Sequence, residues 1–104
     1  MLRYTSSAKK QFNDLLKKDV AKHRKLVKCL RKISEDPKQS GLNSHKYNSM
    51  IGPNGEDVWE SYVENKAPAA WRVFWCYGPD EKHGVMPDVT VIKIISIVAI
   101  TPHP

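Results

Sequence analysis

The sequence predicts an α+β domain: two N-terminal helices packed on one face of a mainly antiparallel β-sheet. Three observations carry that prediction. Apolar residues recur at helical spacing through the first third of the chain, and Pro37 closes that stretch. Three later segments (57–64, 69–77 and 89–100) are rich in β-branched and aromatic residues. Helices that come first in the chain, with strands gathered behind them, cover one sheet face rather than alternate with strands.

Each element has its own signal. Residues 1–4, MLRY, are short and extended in character. Thr5, Ser6 and Ser7 offer hydroxyls to cap a first helix, whose inner face is Ala8, Phe12, Leu15 and Leu16. A break at or near Asp19 precedes a second helix with Leu26, Val27, Leu30 and Ile33 inward, Cys29 on its inner part, and lysines and arginines mostly outward. From 38 to 57 the composition turns to Ser, Gly, Asn and Pro, which reads as a long loop with a turn at GPNG. DVWESYVE sets Trp59, Ser61 and Val63 against Val58, Glu60, Tyr62 and Glu64. AAWRVFWCY follows a hairpin-like NKAP, and GPDEKHGVMPD is hairpin-like as well. VTVIKIISIVAI, almost wholly apolar, is expected to be a central strand covered on both faces.

At 104 residues the chain is expected to form one domain, 1–104, large enough for a single core. The first residues lack the apolar core of a signal peptide, and the longest apolar run, 12 residues, is too short for a bilayer. Cys29 and Cys76 are too few for a disulfide framework and read as reduced thiols. The expectation is a cytoplasmic domain with no membrane partner. Its +6 charge is unevenly placed: residues 1–38 carry +8 (12 Lys/Arg, 4 Asp/Glu) and residues 39–104 carry −2 (5 Lys/Arg, 7 Asp/Glu). Such a basic half serves either as a solvated face or as a surface for a polyanion or acidic protein.

Arg72 stands among Trp71, Val73, Phe74 and Trp75, where an unpaired guanidinium costs several kcal/mol. Strand alternation resolves the conflict. With Trp71, Val73 and Trp75 against the helices, Arg72 points to the uncovered face, into a shallow concavity. There it binds a phosphate with its planar fork, forms an ion pair with Glu60 or Glu64, or does each in turn. His103, between Pro102 and Pro104, is an acid or base candidate just past the last strand. LNSHKYN concentrates His45, Lys46 and Tyr47, which can contact phosphate, stack on a base or move protons. Tyr77 is a candidate for stacking on a nucleobase, Tyr62 is a candidate at the substrate side, and Glu60 is a substrate-side candidate that could also act as base. The histidines are too dispersed for a metal-ligand motif, and no Gly-rich phosphate loop is present, so neither metal nor cofactor is expected.

The order YTSSAKKQFNDLLKK, a second basic helix ending near EDP, GLNSHKY, WESY, AWRVFWCY and AITPHP resembles the RelE/ParE superfamily of bacterial type II toxins. The likeness covers nearly the whole chain, as order and spacing. It implies a RelE-like fold and a metal-independent endoribonuclease that cuts mRNA in the ribosomal A site through the 2′-hydroxyl. It also implies a cognate antitoxin, with the basic helices on ribosomal RNA. On the matching positions Arg72 corresponds to the phosphate-binding arginine, His103 to the C-terminal acid or base, and 45–47 to a region carrying base or charge roles. Glu60 and Glu64 depart from the basic residues many nuclease members carry before the arginine. Superfamily members that poison DNA gyrase share the scaffold, so a binding-only gyrase inhibitor is the alternative. A non-catalytic RNA- or protein-binding module is a third.

Overall fold

The computed structural model describes residues 1–65 and 69–103, so most of the NKAP turn and Pro104 lie outside the described residues. The chain runs β1 (Leu2–Tyr4), α1 (Ser6–Lys18), α2 (Val20–Glu35), a 3-10 turn (Ser40–Leu42), β2 (His45–Ile51), β3 (Asp57–Tyr62), β4 (Trp71–Tyr77), β5 (Glu81–His83), β6 (Thr90–Ile92) and β7 (Ile95–Pro102). Five strands form one sheet in the order β1-β7-β4-β3-β2. Every pairing in it is antiparallel except β1 with β7. The helices cover one face, which is the predicted α+β architecture.

Of the three hydroxyl residues offered as caps, Thr5 takes the role, and the break between the helices falls at Asp19, which caps the second. Thr5 accepts the Ala8 N–H at 3.1 Å. Asp19 closes α1 with its backbone N–H to Leu15 and opens α2 by accepting the Lys22 N–H at 3.0 Å. One residue therefore ends one helix and starts the next, and the pair folds back as a hairpin. Its inner stripe of Ala8, Leu15, Leu26, Cys29, Leu30 and Ile33 meets Val73, Trp75, Ile97 and Ile100 from the sheet. Full burial of each large aliphatic side chain contributes about 1.5–3 kcal/mol. Two expectations shift. Leu16 is exposed, because the stripe follows Ala8, Phe12 and Leu15 and Leu16 falls past its edge, and Val27 is half-buried.

The 38–57 segment is not a loop throughout: His45–Ile51 is the edge strand β2. Its composition hid this, since an edge strand exposed along most of its length needs no apolar alternation and takes its order from pairing with β3. The 89–100 run is likewise not one strand. Thr90–Ile92 pairs with Glu81–His83 in a separate ribbon, and only Ile95–Pro102 enters the main sheet. Asp80 forces the division by accepting the Ile94 N–H at 2.9 Å and pairing with Lys93 at 3.2 Å. The central strand is β4, buried from Arg72 to Cys76. β7 is fully buried only at Ile97 and Ile100, both facing the helices, so it is not covered on both faces.

Because β1 ends at Tyr4, α1 completes the outer edge of β7. The Thr5 N–H donates to the Ile97 carbonyl at 3.0 Å, the Thr5 hydroxyl donates to Val98, and the Gln11 side-chain carbonyl accepts the Ile100 N–H at 2.8 Å. A buried polar chain fixes the other side. The Trp75 indole N–H donates to Ser61 Oγ at 2.7 Å. Ser61 lies 2.6 Å from Ser44 Oγ, which donates to the Pro37 carbonyl. With Ser44 already donating, Ser61 must be the donor between the two hydroxyls. This chain anchors the residue just before His45 to the middle of the sheet.

A candidate active site on the open sheet face

Alternation along β3 and β4 places Glu60, Tyr62, Arg72, Phe74 and Cys76 on the face away from the helices, with Glu60 opposite Phe74 and Tyr62 opposite Arg72. At one end of this face the Gly52–Glu56 turn folds over, bringing Glu56 to 4.0 Å from Cys76 Sγ. At the other end stands a cluster centred on Glu60, whose side chain is only 1% exposed. One carboxylate oxygen lies 3.0 Å from His45 Nε2 and the other 2.8 Å from His103 Nδ1. Arg72 Nε is 3.9 Å from the first oxygen.

Each partner is positioned by a distinct element. His45 opens β2, in register with Glu60, and its Nδ1 lies 2.9 Å from the Asn43 carbonyl. Asn43 has left-handed backbone (φ 49°), a conformation asparagine tolerates better than most residues, and this turns its carbonyl toward the ring. His103 continues β7: its N–H donates to the Ala70 carbonyl at 2.8 Å, so the imidazole is tethered rather than frayed. Tyr47 lies two residues beyond His45 on the same strand, its ring 5.0 Å from Phe74 and 6.3 Å from His103. Tyr62 stacks beneath Arg72, whose guanidinium carbon is 3.7 Å from the ring centre.

Arg72 lies on the predicted face but not in an open concavity. Its side chain is 9% exposed, and Nη1 donates to the carbonyls of Glu64 and Trp71. Among the described residues its Nε is buried without a hydrogen-bond partner. Of the two expected carboxylate companions, Glu60 is the one it approaches. Glu64 turns its carboxylate toward Lys22, Lys25 and the Trp71 N–H instead.

The structure therefore brings together six of the sequence candidates, Arg72, His103, His45, Tyr47, Glu60 and Tyr62, and leaves two apart. Lys46 alternates to the other face and pairs with Asp57 at 3.3 Å. Tyr77 shares the helix-side face with Trp75 and Trp59, its ring 5.0 Å and 6.2 Å from theirs, and lines a groove of about 540 Å³ beside Pro37 and Ile94. Asn43, which anchors His45, escaped sequence reasoning because its contribution is a backbone carbonyl. Glu60 was legible on the Arg72 face, but its place as the hub depends on long-range pairing. Among the described residues no group of three or more His, Cys, Asp or Glu is arranged to hold a metal ion.

The layout of two helices on one face of a mainly antiparallel five-stranded sheet is a RelE/YoeB-like toxin fold. The chain superposes on a YoeB/ParE toxin from Agrobacterium tumefaciens with a TM-score of 0.65, covering 99% of this chain and 98% of that one at 11% identity. No protein-family model matches the sequence, and no curated protein matches it significantly. The likeness thus lies in the path of the backbone rather than in shared residues.

Proposed function

We propose that this protein is the toxin of a toxin–antitoxin pair and cuts ribosome-bound mRNA through the 2′-hydroxyl of the RNA. The observation that carries this reading is the Glu60 carboxylate, buried between two half-exposed imidazoles above a guanidinium. Cleavage of this kind needs a base for the hydroxyl, fixed positive charge near the phosphate, and an acid for the leaving oxygen. Glu60 has both oxygens engaged and almost no solvent contact, so its task is to orient. It accepts the His103 Nδ1–H, which leaves the Nε2 lone pair to face outward as the base. Arg72 supplies charge from beneath, with its unpartnered Nε edge toward the cluster. The base and the positive charge both come from side chains, and the proposed reaction is metal-independent and uses no cofactor.

The remaining surface fits the same reading. Lys17, Lys18, Arg24, Lys28 and Arg31 are exposed on the helices and supply a basic face for ribosomal RNA. Among the described residues no helix is long and apolar enough to cross a membrane. The proposed setting is the cytoplasm, with a cognate antitoxin as protein partner.

Primer extension on messages from cells expressing the chain tests the proposal. The expected result is cuts within translated codons, lost in His103→Gln while the circular dichroism of the variant is unchanged. Growth arrest with intact messages and a DNA-damage response would refute it in favour of a gyrase inhibitor.

A further inference from the structure

Neither cation expected at the candidate site reaches outward from it. Arg72 is more than nine-tenths buried, and its Nη1 is committed to the Glu64 and Trp71 carbonyls. Lys46 pairs with Asp57 on the other face. A cavity of about 210 Å³ next to the site supplies what they do not. It lies between α2 and the end of β3, and its lining includes Lys25, Lys28, Lys32, Gly41, Tyr62 and Asn65. The three lysines follow one another at i, i+3 and i+7, so they stand in a row on one face of the helix. The Lys32 ammonium reaches across to the 3-10 turn: a side-chain carbon built on Gly41 would lie 3.5 Å from it. Like charges at this spacing repel, and little nearby offsets them. Glu64 is shared between Lys22 at 3.5 Å and Lys25 at 3.7 Å. No carboxylate among the described residues pairs with Lys28 or Lys32. The Asn65 side-chain carbonyl accepts from Asn43 at 3.2 Å, which leaves the Asn65 amide nitrogen to donate.

We propose that this cavity binds a backbone phosphate of the message, flanking the one that is cut. This rests on the nuclease reading above and adds to it the groups that hold the strand. Surplus positive charge and several donors in one hollow match a phosphate, which accepts from many directions at once. Position ties the cavity to the site. Tyr62 is a wall of the cavity, and the same ring stacks on the Arg72 guanidinium and stands edge-on to His45 at 5.7 Å. Asn43, bonded to Asn65 through its side chain, also has its carbonyl 2.9 Å from His45 Nδ1. A strand crossing Tyr62 therefore presents one phosphate to the cluster around Glu60 and a neighbouring phosphate to the lysines. Their role is to hold the message and not to move protons, so they govern binding more than the chemical step.

The test replaces single phosphates of a ribosome-bound message with neutral methylphosphonates, one position at a time on either side of the cut. For the parent, one flanking position is expected to raise KM about 10–100-fold with kcat little changed, as loss of a charged hydrogen-bonded contact does. The double variant Lys28→Gln/Lys32→Gln should show a similar rise on the natural message, and the methylphosphonate at that position should then cost it nothing further. Arg31→Gln, on the exposed face of α2, should keep the parent's sensitivity. Losses that multiply, or a parent indifferent to every flanking methylphosphonate, overturn the assignment. A second readout needs no cleavage: amide spectra recorded while a 2′-O-methyl RNA trinucleotide is added. Saturable shifts at Gly41 and Asn65 are expected in the parent, weakening as salt rises and lost in the double variant. Absence of those shifts in the parent, or equal shifts in the variant, overturns the proposal. So does inorganic phosphate saturating the same amides at lower concentration than the trinucleotide, which would assign the cavity to a free phosphate. A parent that cuts no message refutes the nuclease reading, while the titration still decides whether the cavity takes a phosphate of RNA.

Discussion

Replacing Glu60 with Gln keeps its shape and removes its charge, which isolates what the carboxylate does for the fold. In the parent, Arg72 Nε faces a carboxylate oxygen at 3.9 Å with no hydrogen bond between them, so the pair interacts through charge alone. At that separation the attraction amounts to about 4 kcal/mol at an effective dielectric constant of ~20. Both side chains are more than nine-tenths buried, so solvent screens little of it. Breaking a buried pair from one side costs roughly 3–5 kcal/mol, because the remaining charge is left uncompensated. Here Nη1 keeps its two carbonyls and the guanidinium keeps the Tyr62 face, which places the expected loss at the lower end, about 3 kcal/mol. For a domain of this size that corresponds to a fall in Tm of roughly 12 °C. The assay is urea denaturation of the parent, Glu60→Gln, Arg72→Met and the double variant. The double variant should be more stable than the sum of the single losses requires, by a coupling of about 1–3 kcal/mol. Additive losses, or a Glu60→Gln protein as stable as the parent, would show that the two charges do not depend on one another.

Other perturbations test neighbouring parts of the structure. Ser61→Ala strands the buried Trp75 indole N–H and should cost about 1–3 kcal/mol in urea denaturation, with the indole environment reported by fluorescence. Thr5→Ala removes both the α1 cap and the bond to Val98, so a loss of about 1 kcal/mol or more is expected in the same assay. Burial pushes the Cys29 thiol up to about 12, and burial together with Glu56 pushes Cys76 up to about 11. Native protein at mildly alkaline pH should therefore resist iodoacetamide at both sites, with mass spectrometry showing labelling only after unfolding.

Much of this arrangement was legible because it follows from local rules. Thr5 lies among the hydroxyl residues where an apolar stripe begins, and Asp19 lies where it breaks, so the start of the first helix and the break between the two were visible to within a residue or two. Period-two alternation placed Glu60, Tyr62 and Arg72 on one face, and the same rule explains why Tyr77 and Lys46 stand elsewhere. Tyr77 is an odd number of residues from Arg72, as Lys46 is from His45. What remained hidden depends on partners distant in sequence. SHKYNSMI lacks a buried stripe and becomes a strand only when β3 pairs with it. The break at Lys93 and Ile94 depends on Asp80 reaching across to them. The depth of Arg72 is set by the Glu64 and Trp71 carbonyls closing over it, and strand spacing alone carries no trace of that.

The most direct test is chemical analysis of the cut ends when purified protein acts on ribosomes carrying a defined message. If Glu60, His103 and Arg72 form a site for cleavage through the 2′-hydroxyl, the upstream fragment should end in a cyclic phosphate and the downstream one should begin with a 5′-hydroxyl. A message with a single 2′-deoxy substitution at the cut site should stay whole there. Cutting that survives the deoxy substitution, or ends bearing a 5′-phosphate, would contradict the account.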